Sequence, residues 1–430
     1  MTERIPAGDR LRDLVVECIR RELPSGVQLP GETEDLVESG ALDSMAWVSV
    51  LRSLERALGI TNLADLLSDE GPRSMELLLA ALRNAAKPRE SGAVFASARV
   101  QLGASGRAGI VGWGSALGTE RVEAASVERE FGLSAGTLRN RAGIESIARV
   151  QPGEAEIDLA ARAAAYALQG SETDIADVDW LVASSETHLG YPSLAASLHS
   201  RLLANENAGA FDVGGACTGL LNGLFFAQSL ILARQANRVL VVTADVHSQR
   251  LLPSQVPGQF GGLFGDGASA FLLRRMDDAG QQNQSYYRLG DFQFGCAGTY
   301  ASALAVKLDP HGSTHVVFDG EALARAALSE LQRIIEDLEL RSRLSRKAAS
   351  SFATHQPNPR IVDALARQLG VPLEKFPAVA RTSGNLGSST CGVALAKALD
   401  EYSHKSPGHG GPIFLAAVGP GLLWGGGILS

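Results

Sequence analysis

The sequence predicts a layered α/β fold made of two halves of similar order, preceded by a small helical domain. Beyond about residue 156, short apolar runs of strand length alternate with helix-period segments. Some of those helices are apolar all round, which requires sheets covered on both faces. Residues 1 to 85 show only helical patterning and an acid excess of their own: 15 Asp and Glu against 9 Arg and no Lys, a net of −6 in a chain whose total is −8.

At 430 residues the chain exceeds one ordinary core, since domains run to about 150 residues. The divisions expected are a helical domain at 1–86, a linker at 87–106, and two α/β halves at 107–280 and 281–430. Cys18, Cys217, Cys296 and Cys391 are far apart with no C-x-x-C pair, so neither a metal site nor a disulfide framework is expected. A reducing, cytoplasmic setting fits. The start carries no apolar signal core and no run approaches the roughly 20 apolar residues of a membrane span. The acidic balance argues against a nucleic-acid partner.

In the first domain, Leu11, Leu14, Val15, Cys18 and Ile19 share a helical face that Pro24 and Gly26 end. Asp43 and Ser44 open a second helix with Met45, Val48, Leu51, Leu54 and Leu58 at helical spacing. Segments near 62–68 and 74–85 complete four helices. Capping alone explains Asp43-Ser44. Residues 86–106 are rich in Ala, Ser and Gly and read as linker.

An apolar strand follows at AGIVGWGSALG. Gly112 and Gly114 invite a nucleotide-loop reading, but the third glycine comes one position late. Gly132-Leu133-Ser134-Ala135-Gly136 fits a hydrolase pattern, yet no strand precedes it. Then come a helix from Ile157 to Leu168, a strand from Val178 to Ser184, a helix from Ser193 to Leu203, a strand from Ala210 to Val213 and a helix from Gly219 to Ala233. Val239 to Thr243 and Ala268 to Leu273 are further strands. The second half repeats the plan: helix 319–339, strand 349–354, helices 359–369 and 388–401, strand 412–418.

Cys217 stands where the strand ending in Phe211 and Val213 turns, through Gly214 and Gly215, into an apolar helix. There the unpaired N–H groups and the positive helix end favour a thiolate. That contribution is only about 0.3 to 1 kcal/mol, less than one pKa unit. A cysteine nucleophile therefore needs partners. His355 at a strand end and Asn385 at a glycine-flanked turn occupy the same kind of junction. Either alone is commonly structural; all three at strand-to-helix junctions is a sharper coincidence.

Two resemblances gather these observations. Leu42-Asp43-Ser44-Met45, at the start of the second helix of an acidic module, resembles the D-S-L motif of an acyl carrier protein, with Met45 for the usual leucine. That likeness implies 4′-phosphopantetheine on Ser44, attached by a phosphopantetheinyl transferase, and an acidic face read by catalytic partners. From about 107 onward the chain resembles the ketoacyl synthase III branch of the thiolase superfamily. The likeness rests on G-W-G-S at 112, R-A-G-I at 141, Y-P-S at 191, F-D-V-G-G-A-C at 211, F-G-D-G-A at 264, H-Q-P-N-P-R at 355, G-N-L-G-S-S at 384 and G-P-G-L-L-W-G at 419.

The second resemblance implies a five-layered αβαβα fold and a homodimer with Tyr191 beside the partner's pocket. It makes Cys217 the acylated nucleophile, His355 and Asn385 the donors that polarise the extender's thioester carbonyl, and the glycine-rich GPGLLWGGG turn part of an oxyanion hole. Arg141 and Arg360 match residues that receive coenzyme A or a carrier. Where the family carries an adenine-stacking tryptophan this chain has Thr137, which favours a carrier-borne acyl partner. A basic cluster at Arg341, Arg343, Arg346 and Lys347 would suit an acidic carrier. Ser184-Ser185-Glu186-Thr187 looks like the segment that gives the related hydroxymethylglutaryl synthases their catalytic glutamate, so Glu186 is an additional candidate base. The ketosynthase-like flanks favour a plain loop residue.

The function these resemblances imply is decarboxylative Claisen condensation of an acyl group on Cys217 with a malonyl-type unit on coenzyme A or a carrier, in fatty acid or polyketide biosynthesis, without a metal. The alternatives are acyl transfer to an oxygen or nitrogen nucleophile, aldol addition through Glu186, and a non-catalytic carrier scaffold.

Overall fold

A computed structural model describes residues 9–24, 26–58, 63, 73–85, 107–276, 287–308, 314–403 and 411–430. The chain divides into two compact units, Met1–Ala96 and Ser97–Ser430. The expected linker at 87–106 lies outside the described residues.

The first unit contains α1 (Asp9–Glu22), α2 (Ser44–Leu58) and α3 (Met75–Ala85). Their apolar faces close one core around Val15, Ile19, Trp47, Leu54, Leu78 and Leu82. Asp43 caps α2, its Oδ1 accepting from Ala46 N at 2.7 Å, so the capping reading of Asp43 holds while Ser44 is the helix's first residue. Of the helix expected near 62–68 only Leu63 is described, and its N–H donates to Glu55 Oε1.

The second unit runs β1 (Arg107–Leu117), β2 (Glu120–Glu123), α4 (Ala124–Glu130), a π-helical turn Thr137–Ala142, β3 (Ser146–Arg149), α5 (Glu156–Gly170), β4 (Trp180–Ser184), α6 (Leu194–Leu202), β5 (Gly209–Asp212), α7 (Gly219–Leu232) and β6 (Arg238–Val246). It continues through α8 (Gly258–Gly261), β7 (Asp266–Met276), β8 (Tyr287–Cys296), β9 (Leu304–Leu308), β10 (Thr314–Phe318), α9 (Gly320–Ser342), β11 (Ser351–Thr354), α10 (Pro359–Leu369), α11 (Ala380–Ser383), α12 (Thr390–Ser403), β12 (Ile413–Gly419) and β13 (Leu423–Leu429).

Nine strands hydrogen-bond in the order β11-β12-β13-β8-β1-β7-β6-β4-β5. Between the four strands from β11 to β8 and the five from β1 to β5, the pairing among the described residues is Gly109 with Arg288 and Ile110 with Tyr287. Helices α7 and α12 fill the space between these two parts, where Leu220, Leu224, Val393 and Leu395 meet Val241, Phe271 and Leu415 in one core. Outside the five-stranded part lie α5 and α6, packed on Leu240, Val242 and Leu272. Outside the four-stranded part α9 packs on β12 and β13, giving the layers αβαβα.

Gly112 and Gly114 sit inside β1, where a Cβ would fall 2.1 Å from Ala167 O and 2.4 Å from Ala163 O of α5. Their role is close packing of helix on strand. The segment GPGLLWGGG was expected as a turn. Only Pro420–Leu422 is one; β13 follows, and its three glycines leave room for Phe294, Ile334 and Phe292, each within 2.8 Å of where a Cβ would stand. The pattern also concealed β8, β9, β10 and α4, whose apolar spacing is irregular.

Candidate active site

The junctions predicted from the sequence converge, although only those of Cys217 and His355 run from strand to helix; Asn385 lies in a turn between α11 and α12. Cys217, His355, Asn385 and Glu186 line one cavity of about 150 Å³, walled by Phe260, Phe264, Phe318 and Leu323. Cys217 occupies a 3-10 turn, Ala216–Thr218, that leads directly into α7. Behind it, Gly215 (φ +130°) and Ala216 (φ +48°) both have positive φ, a strained choice for alanine that sets the sulfur at the apex of the turn. Gly419 at the end of β12 closes against it: a Cβ there would lie 3.3 Å from Cys217 N and 3.6 Å from Cys217 Cβ.

His355 follows β11 with its N–H on Ala416 O. It is buried, and burial holds its pKa down to about 3; Nδ1 has no hydrogen-bond partner. The ring is therefore neutral at physiological pH and acts as a hydrogen-bond donor or acceptor, not as an imidazolium. Asn385 is tied by its backbone to the F-G-D-G-A turn, donating to Leu263 O and accepting from Gly265 N, each at 2.9 Å. Its Oδ1 accepts from Gly387 N at 3.0 Å and Thr390 Oγ1 at 3.1 Å. That leaves the Nδ2 amide as the group with capacity to spare. Two neutral donors at one end of a cavity can stabilise a developing oxyanion.

Two expectations change here. The helix start was expected to favour the thiolate, by less than one pKa unit. Instead burial, then the charge and hydrogen bond of Glu186, push Cys217 well above its ordinary pKa; desolvation outweighs the modest helix-end effect. Glu186, for which a plain loop position was favoured, is half-buried and lines the cavity beside the thiol, with its Oε1 buried. Burial and then the neighbouring Asp245 raise its carboxyl to about 7.

A polar network behind the cavity escaped the sequence reading. Asp245 Oδ1 accepts from Glu186 N at 2.6 Å, and its Oδ2 accepts from Ser388 N at 2.9 Å and Ser388 Oγ at 2.6 Å. Burial raises the pKa of Asp245 too. His247, two residues on, donates from Nδ1 to Gly265 O at 3.0 Å, and its ring lies tilted against Phe264. The available signal was an Asp and a His two apart at the end of an otherwise apolar strand.

The remaining candidates lie outside the cavity lining. Arg141 is exposed at the end of the π-helical turn, and Arg360 Nη2 donates to Asn140 O in that same turn at 2.9 Å, so these two arginines are neighbours. Thr137 begins the turn and bonds Ser134 O. Tyr191 is fully exposed beside Pro192. In the basic cluster Arg346 is paired with Glu336 and Glu339 and Arg341 with Gln293. Ser44 belongs to the first unit. Among the described residues no cluster of His, Cys, Asp and Glu could hold a metal, and no helix is long and apolar enough to cross a membrane.

The 3-oxoacyl-(acyl-carrier-protein) synthase III family matches at residues 211–305, and its C-terminal part at 341–430. A beta-ketoacyl-(acyl-carrier-protein) synthase III of Rhodobacter capsulatus is 32% identical over 323 residues, covering 74% of this chain and 97% of that protein. The solved 3-oxoacyl-(acyl carrier protein) synthase III of Pseudomonas aeruginosa superposes with a TM-score of 0.67 at 28% identity, over 75% of this chain and 98% of that one. The priming beta-ketosynthase of a polyketide pathway does so with a TM-score of 0.66 at 27% identity, over 75% and 96%. Identity of 32% over nearly the whole length of the Rhodobacter capsulatus relative shows that the chain belongs to the ketoacyl synthase III family.

Proposed function

We propose that this protein is a carrier-fused condensing enzyme of fatty acid or polyketide biosynthesis. The observation that carries the reading is the meeting of Cys217, His355 and Asn385 in one cavity. An acyl thioester is attacked by the Cys217 sulfur, and its thiol leaves. A malonyl-type thioester then loses CO₂; the electron pair of the broken C–C bond becomes an enolate whose oxygen is met by His355 and Asn385. The enolate carbon attacks the acyl-enzyme carbonyl, the C–S bond to Cys217 breaks, and a 3-ketoacyl thioester is released.

The Met1–Ala96 unit is read as an acyl carrier, with residues 1–86 as its extent and 87–106 as its tether. Support comes from Leu42-Asp43-Ser44 at the start of α2, its own closed core and its acid excess. Ser44 would carry 4′-phosphopantetheine, installed by a phosphopantetheinyl transferase. Arg141 and Arg360 form the docking point for the acidic carrier or for coenzyme A, and Tyr191 belongs to a homodimer face. Aldol-type addition by Glu186 is the second reading, favoured by that carboxyl's place in the cavity.

Intact-protein mass tests this on wild type, Ser44→Ala and Cys217→Ala. Treatment with a phosphopantetheinyl transferase and coenzyme A is expected to add an arm that Ser44→Ala lacks. An acyl thioester is expected to acylate wild type and not Cys217→Ala, and malonyl thioester then to discharge the acyl-enzyme with release of CO₂. Discharge to product without CO₂ would select the second reading.

A further inference from the structure

Before Cys217 can take an acyl group, its thiol proton must go somewhere. Asn385 offers no free acceptor, since its Oδ1 is held by Gly387 and Thr390. His355 is a poor acceptor: its Nδ1 is buried and unpartnered, so no carboxylate orients the ring or supports a positive charge on it, as a cysteine–histidine pair would need. Burial alone already holds the ring neutral. Glu186 remains. It lies against the thiol, lines the cavity, and its Oε1 is buried with no hydrogen-bond partner. Its backbone is fixed by the 2.6 Å bond to Asp245. An unpartnered buried carboxylate oxygen is costly, and the carboxyl that carries it lies beside the thiol that must lose a proton.

We propose that Glu186 is the general base of the acylation step, accepting the Cys217 thiol proton as the sulfur attacks and returning it to the departing thiol. The S–H bond of Cys217 breaks and a bond from its sulfur to the acyl carbon forms. The C–S bond of the incoming thioester breaks, and the proton, carried by Glu186, ends on the leaving sulfur. Glu186 returns to carboxylate and no net charge enters the cavity. This deepens the reading of Cys217 as the acylated nucleophile and rests on it. The titratable groups facing Glu186 are Cys217 from the turn before α7 and Asp245 and His247 from the end of β6; His355, after β11, lines the same cavity. Its pKa of about 7 keeps it in reach of both the thiol and the leaving group.

The test compares two rates on the full chain in wild type, Glu186→Gln and Glu186→Asp: alkylation of Cys217 by iodoacetamide, and single-turnover acylation by acyl-coenzyme A, both followed by intact mass across pH. Removing a carboxylate beside the thiol makes the thiolate easier to form, so Glu186→Gln is expected to alkylate faster at neutral pH, with its inflection moved to lower pH. The same variant is expected to acylate at least tenfold more slowly and to lose the rise in rate through about pH 7 that wild type shows. Glu186→Asp should recover part of the acylation rate. Opposite movement of the two rates is what a merely structural residue would not produce. Acylation as fast in Glu186→Gln as in wild type overturns the proposal, and so does a loss of both rates together. Glu186-dependent acylation without CO₂ release on adding malonyl thioester would uphold the base and overturn the decarboxylative reading.

Discussion

His355 shows how much a single buried side chain can say about the site and the fold together. Folded, it protonates only near 3; unfolded, near the ordinary 6.5. Its folded pKa is depressed, so the stability it supports is present above about 6.5 and is lost as pH falls toward 3, at about 1.4 kcal/mol per pH unit. His355→Gln removes that proton uptake, and urea midpoints measured from pH 7 to pH 5 are expected to fall less steeply in the variant. Equal slopes would mean the ring is not held neutral. Cys217 and His355 were legible in the sequence because each stands where an apolar strand gives way to a helix, and Asn385 because its turn is flanked by glycines, although a short helix, α11, and not a strand precedes it. Glu186 was named only as an additional candidate and favoured as a loop residue, and Asp245 was not named at all, because whether a carboxylate enters a cavity depends on strands and turns distant in the chain: Glu186 owes its setting to Asp245, 59 positions on.

Among the elements, β1 depends on what packs over it. A Cβ at Gly112 would stand 2.1 Å from a backbone oxygen of α5, whereas one at Gly170, at the end of the same helix, would meet nothing within 4 Å. Gly112→Ala therefore has to move the helix, and overpacking of this kind costs about 1 to 3 kcal/mol or more. Gly170→Ala is expected to be neutral or slightly stabilising. Chemical denaturation of the two variants checks the contrast, and equal losses would refute it. The apolar strands β4, β6, β7 and β12 could be read from sequence because burial on both faces leaves them uninterrupted. By contrast β13 could not, since its glycines are chosen by neighbours on β8 and α9 that local patterning does not reveal.

For the whole molecule, the first unit closes a hydrophobic core from its own helices and the αβαβα layers close theirs without it. A chain of residues 97–430 is accordingly expected to fold and to be acylated on Cys217, and to take no phosphopantetheine. An insoluble or unreactive fragment would show that the units depend on each other. The layered class was legible from the alternation of elements, while the pairing of β1 with β8 that joins the strands into one sheet was not, because it sets Gly109 and Ile110 against residues almost 180 positions away. The two central helices meet at their beginnings: a Cβ at Gly219, the first residue of α7, would lie 3.3 Å from Ser388, just ahead of α12. Cys217 and Asn385 both precede those starts. The alignment of nucleophile and donor is thus pinned at one pole of each helix, while the far poles are anchored separately, α7 by Arg275 on Ile231 O and α12 by Trp113 on Asp400.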